Sequence, residues 1–146
     1  RVSTLKHAHH HFDVDHPGKD SYAHRMAGAT EVLVSSANRF ALMHELRGDP
    51  EWTLPQLLGR LVPVDLVLVE GFKQSDLPKV EVWRPAHGKP LRFPDDPHIV
   101  AIATDDAGAL PVTAHCPVLD LNVADDVAAW LVDNAERFEY RTPFSP

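Results

Sequence analysis

The chain lacks the features that are typical of membrane or disulfide-bonded secreted proteins. It contains one cysteine, Cys116, so no internal disulfide can form. No apolar run approaches the roughly 20 residues that a membrane-spanning helix requires, and no signal-type segment is present. These absences predict a soluble protein of a reducing compartment, which we expect to be the cytoplasm.

Positive charge is also scarce in this sequence. Lysine and arginine number 14 against 21 acidic residues, which gives a formal net charge of -7 at pH 7. Surfaces for nucleic acid or anionic membranes need clustered basic residues, and no such cluster is found. We therefore expect neither partner, and any phosphate ligand would be held by a few local groups.

The composition nevertheless supports a folded domain. With 146 residues, of which 44% are hydrophobic, the chain can build one core. We predict a single domain over residues 1–139 and a C-terminal tail over residues 140–146. There is no initiator methionine, and residues 2–5 already have strand character, so we expect the chain to begin inside the domain.

Apolar runs predict the fold class. Residues 64–71 are almost continuously apolar, as in a strand buried on both faces, and residues 99–103 repeat that pattern. Residues 79–83 alternate polar and apolar, which indicates an edge strand. A short helix capped by Asp20 or Ser21 and a helix over residues 124–138 are also predicted. The combination favours an α/β domain with a mostly parallel sheet.

Reactive side chains follow three of the predicted strands, in residues 7–21, 70–73 and 104–106. The carboxyl ends of parallel strands meet at one edge, where ligands collect. Glu70 ends an apolar strand, the position at which nucleotide-hydrolysing folds place a carboxylate for magnesium. Gly71 would let the backbone approach a ligand. The alternatives are that Glu70 caps a helix or pairs with an arginine, and that Lys73 is solvated instead of binding phosphate.

The histidine-rich loop after the first strand admits two kinds of site. Asp13 and Asp15 offer oxygen ligands to a hard cation. The loop histidines offer nitrogen to a transition metal, or they are solvated and hydrogen-bonded; they are His7, His9, His10 and His11. Residues 18–21, Gly-Lys-Asp-Ser, favour an anion at a helix start. They do not form a Walker A loop, and a simple turn with a helix cap is the alternative.

Four segments together resemble one known family. The segments LKHAHHHFDVDHPGKDSYAHRMAGA, VDLVLVEGFK, LPKVEVWR and IVAIATDD resemble the molybdopterin-guanine dinucleotide biosynthesis adapter family, MobB, from Ser3 to about Leu131. Members of that family look like three-layer P-loop NTPases, with a strand, a Walker A loop and a helix ahead of the KHAHH segment. The resemblance implies that this unit, roughly 30 residues long, is absent from the chain as given.

The resemblance also implies a function. It predicts a GTP-binding adapter, with at most weak GTP hydrolysis, that assists a guanylyltransferase in attaching GMP to molybdopterin. The implied cofactors are GTP and Mg²⁺. The implied partners are the transferase, molybdopterin and a second copy of the chain, with the edge strand at residues 79–83 as a pairing surface.

By motif match, the resemblance assigns site residues. Asp13 and Glu70 are the implied catalytic and magnesium-binding residues. Thr104 and Asp105 lie where related GTPases read the guanine base, although the Asn-Lys-x-Asp motif is absent. The residues implied in nucleotide or pterin binding are Lys6, His7, His9, His10, Asp15, Lys19, Ser21, Arg25, Gly71, Lys73, Thr104 and Asp105.

Two functions from other classes compete with this hypothesis. The first is a histidine-rich metal-binding protein or metallochaperone GTPase, which would use the histidine loop to bind zinc or nickel. The second is a purely structural partner that offers a docking surface and no ligand site.

Overall fold

The computed structural model describes residues 1–8 and 12–140. Its internal contacts divide the chain into two compact units, of which the first is Arg1–Lys73 and the second begins at Gln74. The assignment of residues 1–139 to a single domain stays a prediction. In the described part of the chain, no helix is both long enough and apolar enough to cross a bilayer.

The first unit contains four strands and two helices. They are β1 (Val2–Lys6), α1 (Asp20–Met26), β2 (Glu31–Ser35), β3 (Phe40–His44), α2 (Leu54–Leu58) and β4 (Leu66–Glu70). Strand β1 pairs with β4 in parallel, and β2 pairs with β3 as an antiparallel hairpin. The β1–β4 register places Lys6 opposite Glu70, so the carboxyl ends of the two strands lie side by side.

The prediction that the apolar run at residues 64–71 is buried on both faces is wrong. The run does form a strand, β4, but its residues are half-buried or exposed, and Leu68 keeps 43% of its surface accessible. Among the described residues, the sheet that contains β4 has only two strands. A continuous apolar pattern therefore located the strand correctly, whereas its burial depends on neighbours that the pattern does not specify.

The start of α1 also differs from the prediction. Lys19, with an extended backbone, occupies the N-cap position in place of Asp20 or Ser21. The Ser21 hydroxyl instead donates a hydrogen bond to Asp15 Oδ1 at 2.9 Å, so this side chain ties the preceding loop to the helix. Gly28, with φ +109°, follows the helix in the left-handed conformation.

The second unit is a parallel sheet with a helix. Its elements are β5 (Lys79–Trp83), β6 (Ile99–Thr104), β7 (Val118–Asp120) and α3 (Ala124–Asp133). The strand order is β5-β6-β7, and both pairings are parallel. Strand β6 is central and buried, with Ile102 fully inaccessible, whereas β5 lies at the edge of this sheet. Both placements agree with the prediction.

The core of the second unit lies around the central strand. Trp83, Phe93, Ile99 and Ile102 pack together there. The Glu81 carboxylate accepts hydrogen bonds from the backbone N–H groups of Arg92 and Phe93, at 2.8 and 2.9 Å. These bonds tie the proline-rich loop between β5 and β6 to the edge strand.

The helix predicted over residues 124–138 is interrupted. Helix α3 ends at Asp133, and a 3₁₀ turn follows at Ala135–Phe138. The Asn134 side-chain amide donates to the Trp130 carbonyl oxygen at 2.9 Å, a local bond that competes with helix continuation. Three of the four strand pairings in the described residues are parallel and helices intervene, so the predicted α/β class with mostly parallel pairing is confirmed.

Candidate functional site

The carboxyl ends of β1 and β4 bring the first group of predicted site residues together. The backbone N–H of His7 donates to the Glu70 carbonyl oxygen at 2.8 Å, which continues the parallel ladder beyond β1. Lys6 Nζ donates to Glu70 Oε1 at 2.9 Å, and both side chains are mostly exposed. Glu70 thus forms an ion pair with a lysine, whereas the alternative considered from the sequence was a pair with an arginine. An exposed pair of this kind contributes at most about 1 kcal/mol.

His7 is held by two neighbours that sequence analysis did not identify as site residues. Its Nε2 donates to Glu51 Oε1 at 2.7 Å, and its ring lies 4.9 Å from the Phe72 ring between centroids. Glu51 precedes α2 and belongs to no motif, so the sequence carried no signal for this contact. For His7, the observed role is hydrogen bonding, one of the alternatives to metal ligation.

Gly71 is required where β4 ends. Its φ is +99°, and a Cβ atom added there would lie 2.6 Å from the Cβ of His7. The next residue, Phe72, also has a positive φ of 48°, which is uncommon for a bulky side chain. In this structure, the group that the Gly71 backbone approaches closely is therefore the His7 side chain. The prediction that Gly71 lets the backbone approach a ligand remains untested.

A second group of predicted residues surrounds Arg25 at the end of α1. The Arg25 guanidinium contacts Asp13 Oδ2 at 2.7 Å, Glu45 Oε1 at 3.2 Å and Asp15 Oδ2 at 3.6 Å. We call these four residues the Arg25 cluster. The side chains of Arg25 and Asp15 are 15% and 6% exposed. Glu45 follows β3 and was not predicted as a site residue.

The loop that carries Asp13 and Asp15 is folded onto α1 by its own hydrogen bonds. Asp13 Oδ1 accepts from the Asp15 backbone N–H at 2.9 Å, and Asp15 Oδ1 accepts from Ser21. The hydrogen bond from Arg25 lowers the pKa of Asp13 below its ordinary value, and the same bond raises the pKa of Arg25. Both groups are therefore charged at neutral pH.

The two predicted magnesium ligands belong to different ion pairs. Asp13 forms an ion pair with Arg25, and Glu70 forms an ion pair with Lys6. Within residues 1–8 and 12–140, no group of three or more His, Cys, Asp or Glu side chains is arranged to hold a metal ion. Carboxylate oxygen is nevertheless the ligand type that Mg²⁺ prefers, so the two residues fit the chemistry of the ion. Their joint role stays a prediction.

The predicted guanine-reading residues lie in the second unit. Thr104 is 2% exposed, and its hydroxyl accepts from the Asp106 backbone N–H at 3.2 Å. Asp105 Oδ2 accepts from Arg84 Nη1 at 2.6 Å, an interaction that no motif in the sequence predicts. A role in base recognition stays a prediction for both residues.

The remaining predicted residues are less constrained or fall outside the description. Lys19 and Lys73 are exposed, which is compatible with either a phosphate ligand or a solvated lysine. His9, His10 and His11 lie outside the described residues. Ser21 and Arg25, predicted to bind nucleotide or pterin, contact the two aspartates of the preceding loop.

Comparison with known proteins identifies sequence relatives. The family model described as molybdopterin guanine dinucleotide synthesis protein B matches residues 1–105. The molybdopterin-guanine dinucleotide biosynthesis adapter protein of Escherichia coli K12 is 38% identical over 136 residues, covering 91% of this chain and 75% of that protein. Its counterpart in Haemophilus influenzae is also 38% identical over 136 residues, covering 90% and 73%.

Solved structures show the same fold. A MobB homologue from Bacillus stearothermophilus matches with a TM-score of 0.61 and 26% identity, covering 93% of this chain and 78% of that one. A molybdopterin-guanine biosynthesis protein B matches with a TM-score of 0.66 and 18% identity, covering 91% and 80%. At 18% identity, the second match supports the fold alone.

Substitution of Gly71 by alanine tests the packing against His7. We expect Gly71→Ala to lower the free energy of unfolding by roughly 2–4 kcal/mol, because a left-handed alanine and a steric overlap are both unfavourable. Gly18→Ala is the matched control, since Gly18 has φ +88° but no atom within 4 Å of the added Cβ. Urea unfolding measures the free energy of unfolding of both variants. An equal decrease in the two variants would show that His7 does not constrain residue 71.

Proposed function

Since this chain belongs to the molybdopterin guanine dinucleotide synthesis protein B family, we propose that it acts in the cytoplasm as an adapter in molybdopterin guanine dinucleotide biosynthesis. Two relatives with 38% identity are named as adapters of that pathway. In this proposal the chain binds GTP, hydrolyses it weakly or not at all, and assists a guanylyltransferase that attaches GMP to molybdopterin.

One observation in the first unit carries the nucleotide part of the proposal. The parallel pairing of β1 with β4 places Lys6, His7 and Glu70 at the same end of two strands. In α/β folds this is the end at which nucleotides and phosphates bind. A lysine, a hydrogen-bonding histidine and a carboxylate are also the side chains that a magnesium–phosphate ligand would need there.

The proposal assigns a role to each of these side chains. Lys6 and His7 donate hydrogen bonds to phosphate oxygens, while Glu70 and Asp13 provide carboxylates for Mg²⁺. The magnesium ion would supply neutralisation of the phosphate charge. Before ligand binding, Lys6 holds the Glu70 carboxylate at the strand end through an exposed contact that costs little to exchange.

The alternative of a histidine-rich metallochaperone has no specific support from the described residues. Of His7, His9, His10 and His11, the structure describes His7, whose Nε2 donates to Glu51 and whose ring is tilted by 44° against that of Phe72. The adapter function is therefore the one that the family and the geometry favour together.

Substitution of Glu70 by glutamine tests the nucleotide role. In a reconstituted assay with the guanylyltransferase, molybdopterin and GTP, we expect Glu70→Gln to reduce adapter-dependent guanylylation by about 10- to 100-fold, the range seen when groups that orient a metal are lost. The assay uses the chain extended upstream by the strand, Walker A loop and helix that the family resemblance predicts. The melting temperature should change little, because the Lys6 pair is exposed.

Glu31→Gln is the matched control for this experiment. Glu31 is also a strand glutamate in the first unit, where it accepts from His44 at 2.8 Å, and the proposal gives it no ligand. Full activity of both variants would exclude a magnesium role for Glu70 and would favour a docking role for the chain.

We also propose that the adapter is a homodimer that pairs along β5. In the described part of the second unit, β5 has β6 as its one neighbour, and Val82 on β5 is 65% exposed. Light scattering should give twice the 16.2 kDa of one chain. Val82→Lys should halve that mass, whereas Val132→Lys, at a similarly exposed position on α3, should not. A wild-type mass of one chain, or a dimer that survives Val82→Lys, would contradict this pairing.

A further inference from the structure

The carboxyl ends of the three strands of the second unit lie side by side. In the parallel register, Trp83 at the end of β5 is opposite Thr104 at the end of β6, and Thr104 is opposite Asp120 at the end of β7. Arg84 and Asp105 are the first residues beyond β5 and β6. They therefore lie at the edge of this sheet at which parallel α/β folds bind ligands.

The backbone of Arg84 is fixed by the residues that follow it. Arg84 precedes Pro85, and a residue before proline is restricted to extended conformations; its φ and ψ are -124° and 117°. Its carbonyl oxygen accepts from the His87 backbone N–H at 3.0 Å, within the 3₁₀ turn that begins at Pro85. The guanidinium is therefore attached to a backbone with little conformational freedom.

Asp105 holds the Arg84 guanidinium at this edge. Arg84 Nη1 donates a charge-assisted hydrogen bond to Asp105 Oδ2 at 2.6 Å, and the two side chains are 41% and 26% exposed. The other carboxylate oxygen, Asp105 Oδ1, is buried and has no hydrogen-bond partner among the described residues. A ligand N–H could therefore reach this carboxylate only at Oδ2, which Arg84 already occupies.

These contacts favour a donor over an acceptor at this edge. Thr104 is 2% exposed, and the two oxygens of Asp105 are buried or bonded to Arg84. Arg84 retains donors, because a guanidinium has five N–H groups in a rigid planar fork and Asp105 accepts at Nη1 alone. The ligand that fits Arg84 is therefore one that presents hydrogen-bond acceptors.

The charge at this edge favours a neutral ligand over a phosphate. The positive charge of Arg84 is balanced by Asp105. Two more carboxylates, those of Asp106 and Asp120, lie at or just beyond the ends of β6 and β7. This excess of acid would repel a phosphate. A nucleobase has no net charge and presents acceptors, so it fits an arginine that is already paired.

We propose that Arg84 recognises the guanine base of GTP by donating hydrogen bonds to O6 and N7, and that Asp105 positions the guanidinium for this role. The inference rests on the proposed function, which supplies GTP as the ligand, and it adds the residue that determines base specificity. Guanine presents two adjacent acceptors to a guanidinium, whereas adenine has its N6 amino group, a donor, in place of O6. Arg84 therefore favours guanine over adenine.

The test measures nucleotide binding to the chain extended upstream by the strand, Walker A loop and helix that the family resemblance predicts. Dissociation constants are obtained by competition against GTP with a fluorescent label on the ribose. The wild type should bind GTP about 10- to 100-fold more tightly than ATP, the discrimination expected of a bidentate pair between arginine and guanine. Arg84→Met keeps a long side chain without a donor and should remove most of this preference.

Arg137→Met is the matched control for Arg84→Met. Arg137 is an exposed arginine of the same unit, in the 3₁₀ turn after α3, and the inference gives it no ligand. Its substitution should leave the ratio of the GTP and ATP dissociation constants unchanged. An equal loss of preference in the two variants would reduce the effect to net charge and would overturn the inference.

Two GTP analogues separate the role of Arg84 from that of Asp105. The analogue 7-deaza-GTP lacks the N7 acceptor, so the wild type should bind it at least about fivefold more weakly than GTP, and Arg84→Met should bind the two equally. ITP lacks the 2-amino group but keeps O6 and N7, so its dissociation constant should stay within about twofold of that of GTP. Weaker binding of ITP with unchanged binding of 7-deaza-GTP would mean that a carboxylate reads the base, against the inference.

The positioning role of Asp105 has its own readout. Asp105→Asn weakens the bond that orients the guanidinium, so it should lower the preference for GTP over ATP. The ratio of the ITP and GTP dissociation constants should stay unchanged in this variant, because Asp105 does not contact the 2-amino group. A change in that ratio would show that Asp105 reads the base directly and would overturn its positioning role.

The remaining outcomes separate the inference from the proposed function. Failure of the wild type to bind GTP would contradict both. Binding of GTP no tighter than that of ATP, or a preference for GTP that survives Arg84→Met, would overturn the inference while GTP binding itself would stand. If circular dichroism shows that Arg84→Met is unfolded, the wild type decides the question, since equal dissociation constants for GTP and 7-deaza-GTP would overturn the inference.

Discussion

The parallel pairing of β1 with β4 is the constraint on which the first unit depends. It places Lys6 opposite Glu70, and the His7 N–H bond to the Glu70 carbonyl oxygen extends the ladder by one residue. Side chains that are 64 positions apart in the sequence thereby become neighbours at one strand end. The same pairing brings the His7 Cβ so close to residue 71 that only glycine fits. The chemistry proposed for this end follows from backbone geometry.

The two ion-pair groups of the first unit differ in how easily they can exchange partners. The Lys6–Glu70 pair is exposed and contributes little to stability, so a phosphate or a cation can replace either partner at small cost. The Arg25 cluster is more deeply buried, so a guanidinium that loses one carboxylate partner must pair with another. Asp15 and Glu45 are the two other carboxylates within reach of Arg25. The ligand proposed at the strand ends would therefore exchange with an exposed ion pair, whereas a ligand at Asp13 would have to displace an arginine.

Local patterns in the sequence were sufficient to predict strands and helices, but not the burial of those elements or the long-range contacts of their side chains. Strand β5 was predicted with its observed bounds, and β6 within one residue, because alternating patterns and apolar runs are local signals. The burial of β4 was predicted wrongly, since burial depends on which strands flank it. Glu51 and Arg84 were missed as partners of His7 and Asp105, because such contacts join distant positions that belong to no motif.

The register of β1 against β4 is tested most directly by NMR of the isotope-labelled chain, through the scalar coupling that crosses a hydrogen bond. The account predicts a correlation between the His7 amide nitrogen and the carbonyl carbon of Glu70, which its N–H donates to. A correlation from His7 to the carbonyl of a different residue would mean that the strands pair in another register. In that case Lys6 and Glu70 would not face each other, and the proposed ligand-binding end would be contradicted.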